Sequence, residues 1–481
     1  MGIIRSNNPA DFDDLDGIVV DESAPSPSIR GVSTNVAILV GQFERGPINE
    51  LTAITSTGQL HELFGKSNTY AGNIALKNKK FGSLKVIRVS AASGGALGTY
   101  TFDDGDSTDI IKFDAKYKGA YGNSITVTIA AGSSSGSKYT IIDDSSNPVL
   151  PTEVYDNVVI SAVGTTFANS KLVDVTVLAT SAEPDPVSAT NLASGSDGSI
   201  ADTDYQTAIA VAEAANAGNI LFLDSYNATR NGYIKTHIAA TTDKMGILAG
   251  SETETVAEAI TAVGSMRDTE GRLIYAYNWL KTTVGGVATY TSPAPWLASI
   301  LSQTHPSIDP AYSANTQYLA GVSGVKNSLS RTSFISLKDA GIAAFEFDSD
   351  IGFKLKSGVV TQIADSSKIT ILRRRMADYL TNSVAFYLKS YQNAPNTKKK
   401  RDAVAGAIQA FIAGEERNGV LPKDNEVLDG VAKLVDTESL NTNDSIAAGY
   451  FYILWRQRIY SSMRFIVLRA EVGESVVVTA D

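Results

Sequence analysis

The chain has no cysteine and only three histidines among its 481 residues. Without thiols there can be no disulfide, no thiolate nucleophile and no cysteine-ligated metal, and synthesis in a reducing cytoplasm is compatible. Long apolar runs are also missing: none approaches the roughly 18 residues of a membrane-spanning helix, so no direct membrane insertion is expected. Positive charge is in short supply, with 41 Lys and Arg against 51 Asp and Glu and a net charge of -10. Such a balance favours solubility and lacks the basic surface of a general nucleic-acid binder, so no nucleic-acid partner is expected. The stretch from Met1 to Asp16 is polar and acidic, unlike a signal or transit peptide.

What is present is ordinary globular material, 43% hydrophobic and 19% charged, and the length suggests two to four domains. Residues 1–30 read as an acidic arm. Asp11, Asp13, Asp14, Asp16, Asp21 and Glu22 surround a short β-forming run, Ile18-Val19-Val20, and Pro25 and Pro27 stiffen the junction with the body. That run is too short to stand alone but can join an existing sheet.

The apolar run Val36 to Gly41 predicts a buried parallel strand. A short helix over Thr57–Phe64 and a strand over Gly82–Val89 complete a βαβ unit. From about 95 to 198 Gly, Ser, Thr and Asp dominate, broken by alternating runs such as Ser124–Ile129 and Leu172–Val177, which predicts an inserted antiparallel β domain. The α/β rhythm then resumes: a small-residue helix over Ala208–Ala217, a strand over Ile220–Leu223, a helix over Val256–Met266, and strands over Arg272–Tyr277 and Ala340–Phe347. Apolar residues at helical spacing from Leu372 to Tyr391 predict a long amphipathic helix. A second helix, capped by Asn396 or Thr397 and stopped at Asn418-Gly419, follows. The chain closes on strand-like runs, Met463–Ala470 and Val476–Thr479, hinged at Gly473.

Motifs for chemistry are weak. His61, His237 and His305 are far apart in sequence, and no serine lies in a nucleophile-elbow context. Gly65-Lys66-Ser67 resembles the end of a phosphate-binding loop, but the required upstream glycine position holds Leu60, so a helix-end turn is the better reading. Asp11 to Asp16 imitates a calcium loop with Leu15 at a ligand position. Asp103, Asp104, Asp106 and Asp109 around Gly105 read as a β-turn. No cofactor, metal or catalytic residue is therefore expected. Two basic clusters remain. Arg373-Arg374-Arg375 opens the long helix and reads as structural. Lys398, Lys399, Lys400 and Arg401 are either a solvated helix end or a docking surface for an acidic partner.

The chain resembles the contractile tail sheath proteins of bacteriophages and related injection systems. The resemblance is carried in order by Gly31–Gly41 with Arg45-Gly46-Pro47-Ile48-Asn49, by Thr55-Ser56 through Leu63-Phe64-Gly65, and by Lys85–Val89. It continues through Lys118-Gly119-Ala120-Tyr121-Gly122-Asn123-Ser124-Ile125, Asp339-Ala340-Gly341-Ile342 and Arg373-Arg374-Arg375-Met376. It implies an α/β multidomain protein with a subtilisin-like α/β domain over 31–95 and 199–355, lacking a protease site. An inserted β-sandwich over 96–198 and an α+β C-terminal domain over 356–481 facing an inner tube complete the implied architecture. Extended N- and C-terminal arms are also implied, with Ile18, Val19 and Val20, and Phe465, Val467, Val476, Val477 and Val478, as intersubunit strands. Lys398, Lys399, Lys400 and Arg401 are the candidate tube contacts.

The implied partners are copies of the chain itself in rings or a helix, a tail tube protein, and a baseplate and tail terminator at the ends. The implied location is the virion tail, after synthesis in the host bacterial cytoplasm. A serine-type hydrolase on the α/β domain, or another virion component such as a capsid or baseplate protein, is the alternative. Deleting residues 1–22 should leave a soluble monomer in analytical ultracentrifugation; long sheaths from the truncated chain would exclude the arm's role.

Overall fold

Ala37–Gly41 forms a strand whose five residues are all buried. Its side chains alternate between two cores, with Ala37 and Leu39 in one and Ile38 and Val40 in the other. A strand apolar on both faces must be covered on both, and this requirement organises the body. In the computed structural model of the protein, the described residues are 29–77, 84–213, 218–241, 243–427 and 430–462. They fall into two compact units, residues 33–379 and residues 29–32 with 380–462. The expected arm strands at Ile18–Val20 and at Phe465, Val467 and Val476–Val478 lie outside the described residues.

The larger unit is built on an eight-stranded sheet. Its order is Thr52–Ile54, Leu84–Arg88, Ala37–Gly41, Ile220–Leu223, Met245–Ala249, Leu273–Tyr277, Ile342–Asp348 and Gly352–Leu355. The inner strands run parallel, and only the two edge strands are antiparallel to their neighbours. Helices Thr57–Phe64, Tyr70–Leu76 and Pro293–Gln303 contribute to one core, and Asp202–Val211, Ala228–Ala240, Val256–Ser265 and Arg331–Asp339 to the other. The small-residue helix begins earlier than its composition predicts, because Asp204 accepts the Ala201 N–H at 2.8 Å and caps the chain there.

A two-strand neck, Gly95–Ala96 against Ser196–Asp197, leads into the inserted β region. Sheets of three strands (99–103, 109–115, 173–177) and four strands (125–131, 137–143, 153–158, 187–191) share one core around Phe113, Tyr139 and Phe167. The Gly119 to Asn123 motif builds the junction. A Cβ at Gly119, where φ is 137°, would lie 2.7 Å from Asp197 Oδ1, and one at Gly122 would lie 2.8 Å from the Gly98 nitrogen, so both positions exclude a side chain. Asn123 clamps Gly195 through both ends of its amide, at 2.9 and 2.7 Å.

Two arginines tie body to insertion. Arg45, 2% exposed, donates to the carbonyls of His61 and Glu62, sits 3.5 Å from Asp143 Oδ2 and lies over the Tyr121 ring. Arg88 donates to the carbonyls of Phe43, Gly46 and Lys118. Losing one partner of a buried ion pair strands the other's charge. Asp143→Ala should therefore cost about 3–5 kcal/mol in equilibrium denaturation. Lys171→Ala, which removes the exposed pair with Glu62, should cost less than about 1 kcal/mol.

Candidate functional site

In an open, mostly parallel sheet, ligands bind beyond the carboxyl ends of the strands where the strand order reverses. Here the chain leaves Ala37–Gly41 toward Leu84–Arg88 on one side and later returns to Ile220–Leu223 on the other. The switch point lies between Gly41 and Leu223. Asp224 occupies it. Its carboxylate accepts the Gln42 N–H at 2.8 Å, the Ser225 hydroxyl at 3.1 Å and the Tyr205 hydroxyl at 3.1 and 3.2 Å. The Tyr70 hydroxyl donates to the Asp224 carbonyl. Arg230 stacks 3.7 Å from the centre of the Tyr205 ring and pairs with Asp202 at 2.7 Å. A Cβ at Gly41 would stand 2.7 Å from that of Asp224. The crevice is thus filled by the protein's own side chain. Burial raises the Asp224 carboxyl above its usual range, against the lowering effect of the Gln42 N–H.

A second buried acid closes the next position along. Glu254 accepts the Tyr275 hydroxyl at 2.8 Å, its carbonyl accepts the Tyr277 hydroxyl at 2.9 Å, and Trp279 Nε1 donates to the Gly250 carbonyl at 3.0 Å. Glu254 Oε2 is buried without a partner. A Cβ at Gly250 would fall 1.7 Å from that oxygen. Burial is the main cause that raises the Glu254 carboxyl, with Glu258 adding to it. Beyond it, Asn278 donates to the carbonyls of Asn327 and Phe345, at 2.9 and 3.0 Å. The carboxyl end of the sheet is sealed by internal polar contacts.

The histidines do not assemble a hydrolytic relay. His61 Nε2 meets Asn73 Oδ1 at 3.0 Å. His237 is buried, 3.9 Å from the nearest Glu213 oxygen, and burial with nearby Lys244 lowers its pKa. His305 meets Ser307, two residues on in the same turn, at 2.8 Å, and its charged neighbour is Arg375. Gly65 is the helix cap that the failed phosphate-loop reading expected, with its N–H on the His61 carbonyl. Asp103 and Asp104 cap the turn between two strands by accepting the N–H groups of Gly105, Asp106 and Thr108. Among the described residues no cluster of His, Asp and Glu could hold a metal ion, and no helix is long and apolar enough to cross a membrane.

The two basic clusters part company. Arg375 is buried and donates to the carbonyls of Leu301 and Thr304 at 2.7 and 2.8 Å, satisfying the end of the Pro293–Gln303 helix. Burial pushes its pKa down to about 9. Arg374 and Arg272 both grip Asp378, the latter through two 2.8 Å bonds. The structural reading of the arginines is correct.

In the smaller unit, Lys398–Arg417 is a helix with Thr397 as its cap, and it packs against the strand Lys433–Asp436. Arg401 is turned inward onto Glu438, at 3.0 and 3.2 Å. Lys398 is exposed beside Asp402 at 3.0 Å, Lys399 is exposed and Lys400 half-buried. Three cations in the first turn oppose the helix dipole, an arrangement local stability does not favour.

Asp224 and Glu254 are not singled out by the sequence, and Arg45 and Arg88 enter it only within the segments that carry the resemblance. Each sits at or just beyond a strand end and carries no spacing signal, and only the folded chain brings their partners together.

No protein-family model matches the chain, and no curated protein is similar to it in sequence. Its fold is shared. The sheath tail protein of Desulfitobacterium hafniense superposes with a TM-score of 0.64 at 14% identity, covering 92% of this chain and 100% of that one. The sheath tail protein of Listeria innocua gives 0.65 at 15% identity, over 89% and 96%. The helical sheath of the anti-feeding prophage in its contracted state gives 0.60 at 14% identity, over 95% and 99%. The chain has the mixed α/β fold of contractile sheath proteins.

Glu254 offers a test of the sealed edge. A carboxyl raised by folding stabilises the native state while protonated, and that contribution is lost as the pH rises through the folded pKa. Glu254→Gln keeps an acceptor for Tyr275 and removes the titration. In thermal melts, the stability of the wild type relative to Glu254→Gln should fall as the pH rises above the usual carboxylate range and level off once the folded carboxyl is ionised.

Proposed function

We propose that this chain is the structural subunit of a contractile tail sheath and that it is not an enzyme. In this reading it polymerises around a tail tube and contracts to drive the tube through a cell envelope. The observation that carries it is the extent of the fold likeness: it runs over body, insertion and smaller unit alike, 95% of this chain and 99% of the contracted helical sheath subunit. The filled crevice at Asp224 supports the same reading, because it removes the usual place for a substrate.

The α/β body is then a subtilisin-like domain over 31–95 and 199–355 with its site overgrown. Residues 96–198 form its β-sandwich insertion, 356–481 its tube-facing domain, and 1–30 its arm. The segments containing Ile18–Val20 and Phe465–Val478 add strands to neighbouring copies. The sheet of Lys433–Asp436 and Leu454–Gln457 has only two strands among the described residues, and such a ribbon is marginal by itself; added strands would complete it. Lys398, Lys399 and Lys400 face an acidic tube, with Arg401 positioning the helix through Glu438. Baseplate and terminator contacts at the sheath's ends, and synthesis in the host bacterial cytoplasm before incorporation into the tail, follow from the same reading. Contraction draws on surface burial and charge pairing between rigid bodies rather than on nucleotide hydrolysis.

Negative-stain electron microscopy of the purified protein should reveal sheath-like filaments or stacked rings, and replacing Lys398, Lys399 and Lys400 by Glu should weaken docking on the tube. Labelling by a serine-directed probe, with no polymer at any concentration, would overturn the proposal.

A further inference from the structure

At the amino ends of Ile220–Leu223 and Met245–Ala249 lies a small cavity whose polar lining is Thr34, Asn219, Asp243, Arg375 and Asp378. All five belong to the larger unit. The cavity volume is ≈10 Å³, room for one water-sized species and too little for a phosphate, a sulfate or an organic ligand.

The charges around this cavity are unevenly matched. Both oxygens of Asp378 are taken, one by Arg272 and the other by Arg272 and Arg374 together. Asp243 is half-buried and pairs with Lys244 at 2.9 Å. Glu270, within electrostatic reach of Arg272 and Arg374, pairs with Lys368 at 3.0 Å. Asp268 accepts the backbone N–H groups of Glu270, Arg272 and Leu273.

Arg375 has no carboxylate partner among the described residues. It is 3% exposed and donates only to neutral oxygens: the Thr304 hydroxyl, the Asn35 amide and the carbonyls of Leu301 and Thr304. Its Nε–H is buried with no partner among the described residues. The end of the Pro293–Gln303 helix presents about half a negative charge, so roughly half of the guanidinium charge is left unbalanced out of water. Although burial lowers its pKa to about 9, the group stays charged at neutral pH.

A water in the cavity would satisfy the Nε–H and leave the charge unbalanced, whereas a small anion does both. Two lining donors are poorly engaged. The Thr34 hydroxyl and the Asn219 amide make bonds of 3.3 Å to Asn35 Oδ1 and the Asp243 carbonyl, long enough to be exchanged for a charged acceptor. We propose that this cavity is a chloride site, in which one halide ion beside Arg375 supplies the countercharge that the chain lacks there. The ion ties the helix that begins at Ile371 to the strand entries at Thr34 and Asn219. The site is independent of the sheath reading.

Thermal melts of the full chain in sodium chloride and in sodium gluconate, at equal ionic strength, test the site, because gluconate is too large to enter. Chloride should raise the melting temperature along a saturating curve, as a ligand of the native state does, by about 2–4 °C far above half-saturation. Gluconate should give no such rise. Thr34→Val removes one donor and should raise the half-saturating chloride concentration by about tenfold. In crystals of the full chain grown with sodium bromide, the anomalous difference map should carry a peak beside Arg375 Nε. Identical melts in the two salts would overturn the site. So would a chloride effect that Thr34→Val leaves intact, which puts the ion elsewhere, or a cavity that holds water with no anomalous signal.

Discussion

A parallel sheet has to bury both of its faces, and most of the larger unit follows from that requirement. Ala37–Gly41 cannot present one polar side to water, so helices must lie on both sides of it. Once they do, the only places left for a functional group are the ends of the strands. The amino-terminal end is locked by Arg272, Arg374 and Asp378, and by Arg375 on the last carbonyls of the Pro293–Gln303 helix. The carboxyl end holds Asp224 and Glu254, two acids whose desolvation opposes ionisation. An architecture able to carry an active site has used the space for internal contacts.

That choice has a mechanical side. Under the proposed sheath function, a body that does not deform is an advantage. The joint between body and insertion is built accordingly: Arg45 reaches Asp143 and Tyr121, Arg88 gathers four carbonyls, and Gly98 and Gly122 allow backbones to touch. Each of these contacts is expensive to break because its groups are already out of water. The exposed pairs, Lys171 with Glu62 among them, add little by comparison.

Local patterns were legible wherever one residue's environment is set by its near neighbours. Thr57–Phe64 follows from Ser56, whose hydroxyl accepts the Gln59 N–H. The stop at Asn418-Gly419 follows from a glycine with φ of 69°. The weak chemistry of the Gly65-Lys66-Ser67 and Asp103 to Asp109 segments was also apparent, since both read as turns. Arg401 was harder. Its three lysine neighbours point to a solvent-facing run, while its own guanidinium is committed to Glu438, a residue distant in sequence.

The sequence by itself determined the apolar strands, the helix caps, the glycines that permit close approach and the lack of thiols and basic surface, because these depend on composition and short-range spacing. Only the tertiary structure decided that Asp224 fills the switch-point crevice and that Arg45 and Asp143 meet. Those outcomes join residues with no periodic relation in the chain. Burial and charge become defined only when distant segments are packed together.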